Sequence, residues 1–279
     1  MATPRDLPQP PAAAHVGRRA FTLVEVLITV AIIAVLLALL LPAARGAVGS
    51  ARSFKCQMSQ RSVAFDFSVF ADDQLHPFRG DDDDADARIR GGPARTFRLE
   101  TFIESQYGVD EFWNDAYGAT VQRLPDDRGR DPMRCAEVSG VVELRRNTPC
   151  TQGAVSPPQF VSFGFNARMH QSEARWTAGD PGPLRLTGRV LQGEGESAPA
   201  RVPLLWDVDG ATAAQREAVP LLSAPSLDSA GPLYGDGRLW FPSLRHAGAL
   251  NAAFLDGHVA PSTRPLAEPS WSWSFDPGR

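Results

Sequence analysis

The sequence predicts an α+β fold: one long N-terminal hydrophobic helix packed against a mainly antiparallel β-sheet head with long loops. Three observations predict it. Phe21 to Leu41 is an unbroken apolar run in which Glu25 is the one charge. Glycine and proline are frequent, 24 of each, which favours turns, loops and short strands over a helical bundle. Phe160–Phe165 and Val202–Val208 have the short, apolar, aromatic-rich character of strands.

The elements follow in order. Residues 1–20 are rich in proline and alanine, end in Gly17-Arg18-Arg19-Ala20, and read as a disordered leader. The 21 residues of Phe21–Leu41 extend about 31 Å as a helix, which matches a hydrocarbon core of about 30 Å. Arg18 and Arg19 precede this run, so the positive-inside rule puts the N-terminus in the cytoplasm and everything past Leu41 on the far side of the inner membrane. An ordinary secretory signal fits less well, because its apolar region is shorter and carries no acid. Residues 42–70 continue the helix in amphipathic form, with Val48, Ala51, Phe54, Met58, Val63, Phe65, Phe67 and Phe70 as the apolar set meant for the head. Phe65–Phe70 is ambiguous between helix end and strand. Residues 71–279 form the extracytoplasmic head, in which Thr96–Tyr117 can hold a helix and Val138–Leu144 a strand. Asp209-Gly210 reads as a turn and Thr177–Pro199 as a long surface loop.

A carboxylate just inside a membrane helix costs about 3 kcal/mol on insertion scales, so Glu25 needs a partner or a place at the headgroups. If the chain is cut between Ala20 and Phe21, the new α-amino group of Phe21 is a cation at the membrane face. Glu25 of one subunit can then pair with the amine of its neighbour and set axial register, a well-attested use of buried polar groups. Arg18-Arg19-Ala20-Phe21-Thr22-Leu23-Val24-Glu25 resembles the type IV prepilin cleavage and methylation motif. The resemblance implies that a prepilin peptidase cuts before Phe21 and methylates its amine, and that Glu25 and Pro42 serve assembly. The usual glycine before the cut is replaced here by Ala20.

In the head, composition argues first against a nucleic-acid partner: a net charge of −4 and a pI near 5.8 leave no concentrated basic face. The cysteines Cys56, Cys135 and Cys150 have no zinc-type spacing. Cys135 and Cys150 either close a disulfide loop or stay as free thiols, and Cys56 has no evident partner. Asp81–Asp84 with Asp86 reads first as a solvated loop, with a structural Ca2+ as the sharper option. No other cofactor is expected. Leu244–Val259 predicts a hairpin with Asn251–Leu255 as a strand and Asp256-Gly257 as a type I′ turn. His246, Asp256 and His258 invite a metal reading, weighed against histidines simply packed and hydrogen-bonded near the turn.

His246 followed by nine residues and Asp256-Gly257 resembles the H-X9-DG domain of prepilin-type proteins (DUF1559), here residues 246–257. Phe163-Gly164-Phe165-Asn166, Arg134-Cys135 and Trp206-Asp207 resemble further points of that pattern. The two resemblances together imply a pilin-like fold and a non-enzymatic subunit, major or minor, of a type IV pilus or a type II secretion-like pseudopilus. Its implied partners are prepilin peptidase, other pilin subunits, an inner-membrane assembly platform and the lipid bilayer. The rival reading is a membrane-anchored binding module, or a metal-dependent hydrolase using His246, Asp256 and His258.

Overall fold

The structure is a computed structural model and describes residues 22–75, 95–107, 121–124, 133–140, 142–146, 155–156, 160–180, 182–191, 198–216, 218, 220–227 and 239–275. It divides into two compact units, Met1–Ala47 and Val48–Arg279. Helix α1, Leu23–Leu75, runs through the boundary with Pro42 inside it. Proline lacks the N–H that would bond the carbonyl one turn earlier, yet the helix is continuous there.

Within the first unit α1 is apolar on every side and its large side chains from Leu23 to Leu41 are exposed. It is the one helix among the described residues long and apolar enough to cross a membrane. In the second unit the same helix buries a stripe of Cys56, Gln60, Val63, Ala64, Phe67 and Ala71, positions three and four apart that share a face. Of the apolar set expected to meet the head, Val63 and Phe67 are buried, whereas Val48, Phe54, Met58 and Phe65 are exposed. Phe65–Phe70 is helical.

The head centres on a mixed five-stranded sheet. In chain order its strands are β4 (Phe163–Asn166), β5 (Pro203–Asp207), β6 (Leu222–Ser223), β7 (Leu250–Phe254) and β8 (Val259–Ser262), and their spatial order is β6-β4-β5-β7-β8. The β4/β5, β5/β7 and β7/β8 pairs are antiparallel; β4/β6 is parallel. A second antiparallel sheet contains β1 (Val121–Leu124), β2 (Val142–Arg146) and β3 (Val155–Ser156). The expected strand at Val138–Leu144 therefore begins later. Helix α2 spans Leu99–Tyr107.

Because successive strand residues face opposite ways, central β5 serves two layers. Trp206 enters an aromatic cluster, with its ring centre 4.9 Å from Trp273 and 5.6 Å from Trp240. Asp207 faces α1, where the Cys56 thiol and Gln60 Nε2 donate to it. Phe67 and Phe102 of α2 meet edge-on at 5.1 Å, and Phe102 meets Phe165 of β4 at 5.9 Å. Gly164, between Phe163 and Phe165, has no room for a side chain: a Cβ there would lie 2.5 Å from the Pro220 carbonyl oxygen.

Three local expectations change. Asp209-Gly210 does not turn the chain back; Asp209 caps a short helix, α3 (Gly210–Gln215). Thr177–Pro199 is not all surface loop, since Leu184 and Leu186 are buried and Leu186 bridges to Phe97. The hairpin exists with β7 and β8 in the expected place, but its loop is not type I′. Both central residues of such a turn need positive φ, and Gly257 alone has it in the loop, at 86°. Gly257 N–H donates to the Phe254 carbonyl and Phe254 N–H to that of His258, so the loop is Leu255-Asp256-Gly257 with glycine in the bulge position. The type I′ geometry occurs instead at Ala247-Gly248, with φ of 53° and 85°, closed by the paired backbone bonds of His246 and Ala249.

Candidate functional site

Two regions carry chemistry. The first is the start of α1. Thr22 precedes the helix and Glu25 sits three residues later, the spacing of a capping box. The Thr22 N–H and hydroxyl both donate to Glu25 Oε2, each at 2.9 Å, and the Glu25 N–H returns a bond to Thr22 Oγ1 at 3.3 Å. Within one chain, then, Glu25 is held by local bonds that also complete otherwise unpaired helix-start N–H groups. The Thr-x-x-Glu spacing was readable in the sequence; its meaning was hidden by the attention that a charge in an apolar run attracts. Ala20 and Phe21 lie outside the described residues.

The second region is buried in the head. Cys56 of α1, Cys135, Asp207 at the end of β5 and His246 at the type I′ turn bring one ligating atom each to within 4.8 Å of one another. All four residues are buried. Cys56 Sγ donates to Asp207 Oδ1 at 3.3 Å. His246 Nε2 lies 3.4 Å from Cys135 Sγ and 3.5 Å from Asp207 Oδ2. Asp207 also accepts from Gln60 Nε2 at 3.2 Å and from the Asn251 N–H at 2.9 Å. Behind the imidazole, Nδ1 is 3.4 Å from Glu137 Oε1.

These neighbours set the charges of the cluster. A hydrogen bond between the two sulfurs and another from His246 hold the Cys135 thiol down to about 4 against the cost of burial. The same sulfur–sulfur bond, with burial and the Asp207 charge, pushes Cys56 upward. Burial would lower His246, but its hydrogen bonds to Asp207 and Cys135 outweigh that and raise it to about 10. Without a cation the pocket thus favours a Cys135 thiolate beside an imidazolium.

His246, Asp256 and His258, the trio of the rival metal reading, fall in two places. His246 joins Cys56, Cys135 and Asp207. Asp256 and His258 pair with each other at the surface through a 2.6 Å contact, and the His258 ring stacks on Phe254 at 4.2 Å. Cys150 and Asp81–Asp86 lie outside the described residues. Cys56, without an evident partner by spacing, has its partners 151 residues away at Asp207 and at Cys135.

Residues 17–41 match the family described as the prokaryotic N-terminal methylation motif. The matched segment covers the Arg18–Glu25 motif and the apolar rod to Leu41. No curated protein and no solved structure matches the chain.

Proposed function

We infer, from the methylation motif and the apolar helix, a prepilin-like chain that is anchored in the membrane and processed by a prepilin peptidase. From that premise we propose that it is a structural subunit of a type IV pilus or type II secretion-like filament, cut between Ala20 and Phe21 and methylated on Phe21. The N-terminus is cytoplasmic, and the head lies outside the cytoplasm. Before assembly the bilayer shelters the exposed rod. In the filament, rods of neighbouring copies shelter one another, and Glu25 exchanges its bonds to Thr22 for the Phe21 amine of a neighbour. The 246–257 resemblance to prepilin-type H-X9-DG proteins supports the same reading. The observation that carries it is the conjunction of the matched motif with a rod whose side chains are exposed along its length.

The bonding of Glu25 supplies a test that separates assembly from capping. Glu25→Ala inserts into the membrane but fails to enter filaments, whereas Thr22→Val, which removes the side-chain cap and keeps the carboxylate, still assembles. Filament recovery with immunodetection of the head reads both. Normal incorporation of Glu25→Ala, or equal loss in the two variants, contradicts the amine-pairing role.

A further inference from the structure

We propose that Cys56, Cys135, Asp207 and His246 form a tetrahedral site for a structural zinc ion. Zinc bonds of about 2.3 Å to sulfur and about 2.0–2.1 Å to nitrogen or oxygen imply tetrahedron edges of about 3.3–3.8 Å between donor atoms. The approaches present here are 3.3 Å from Cys56 Sγ to Asp207 Oδ1, 3.4 Å from Cys135 Sγ to His246 Nε2, and 3.5 Å from His246 Nε2 to the other carboxylate oxygen, Asp207 Oδ2. One donor atom from each of the four residues lies within 4.8 Å of the other three, so the set closes onto a tetrahedral ion by small side-chain movements.

The chemistry of the set agrees. Two thiolates, one imidazole and one carboxylate suit zinc rather than calcium or magnesium, which take oxygen ligands. Four protein ligands in a buried pocket leave no open position, which marks a structural rather than a catalytic site. The outer groups are those a metal centre needs to orient its ligands. Gln60 and the Asn251 N–H fix the carboxylate, and Glu137 Oε1 faces His246 Nδ1.

Zinc binding takes the lone pair of His246 Nε2 and leaves the ring proton on Nδ1, toward Glu137. The remaining thiol and imidazolium protons leave to solvent. With two thiolates and one carboxylate around a divalent ion, the centre carries one net negative charge, which Arg245, already stabilising the Cys135 thiolate, offsets. A Cys56–Cys135 disulfide would engage the two sulfurs alone, whereas an ion engages Asp207 and His246 as well. The two cysteines are free thiols in the structure. The ion would tie α1 to β5 and to the segments that hold Cys135 and His246. This inference does not depend on the filament reading.

The test uses the full chain in detergent, purified through a histidine-free tag, with metal measured by mass spectrometry. The wild type is expected to carry about one zinc per chain. Cys135→Ser and His246→Ala should fall to a trace, and His258→Ala, at the exposed turn, should retain it. Should the cluster variants misfold, the wild type alone decides: after chelation, added Co2+ must produce thiolate-to-cobalt charge-transfer absorption and tetrahedral ligand-field bands. A cooperatively folded wild type that binds neither ion overturns the proposal. So does equal metal loss in His258→Ala, or a Cys56–Cys135 disulfide in non-reducing peptide mapping.

Discussion

Asp209 shows how much one side chain organises at the end of β5. It accepts from the N–H groups of Ala211 and Thr212 at 3.1 and 3.0 Å and from the Thr212 hydroxyl at 2.7 Å. Burial opposes its ionised form, but these bonds outweigh it and leave the carboxyl below its usual range. A depressed carboxylate contributes stability above its unfolded value of about 3.9 and loses it as pH falls through the lower folded value. Asp209→Ala should therefore cost about 1 kcal/mol near neutrality, and the gap from wild type should narrow in acid, below the unfolded value of about 3.9. Urea melts at both pH values check this; a gap that stays undiminished in acid contradicts it. An Asp-Gly pair signals a turn as readily as a cap, so the sequence alone left this residue's role open; the alanine-rich stretch that follows decides for a helix. The buried cluster was illegible for a different reason. Its members come from distant positions, 151 residues apart for Cys56 and Asp207 and 111 for Cys135 and His246. Local spacing holds no trace of such a site.

At the scale of elements, α1 explains both a success and a miss. Its apolar first part followed from the run Phe21–Leu41 and its continuation past Pro42 from the helical spacing beyond, although the helix reaches Leu75 rather than ending at Phe70. Its buried face did not, because the second half carries two apolar stripes. One holds Val63, Ala64, Phe67 and Ala71 with Cys56 and Gln60, and it packs in the head. The other, Phe54, Met58, Phe65 and Val69, lies roughly half a turn round the helix and is exposed. A sequence pattern that pools both stripes cannot say which one the sheet takes. Polar Gln60 is buried because its amide donates to Asp207 and to the Asn251 carbonyl, a choice that only tertiary structure reveals. The exposed stripe suits contact with a second copy. Phe65→Asp should leave the head's melting transition within about 0.5 kcal/mol of wild type, as for a surface change, while filament yield falls severalfold. Unchanged yield would remove this face from the assembly. The hairpin teaches a related lesson: both strands were legible, but the turn type was not, because Asp-Gly serves a type I′ turn and a glycine bulge alike.

For the whole molecule, the α+β organisation follows from two kinds of chain with different needs. An apolar rod with no polar side to offer water needs lipid or other rods. A glycine- and proline-rich remainder builds a short-stranded sheet around β5, which carries a tryptophan cluster on one face and a charged, cysteine-lined pocket on the other. The division at Ala47–Val48 reflects that difference in packing. The central claim is that the rod is released for assembly by a cut immediately before Phe21, and the most direct measurement is the N-terminal sequence and intact mass of the chain recovered from membranes of cells containing the peptidase. The mature chain should begin at N-methylated Phe21 and shift back to Met1 when the peptidase is removed. A chain that keeps Met1 with the peptidase present, or that begins near Arg45 with the rod gone, would contradict the account.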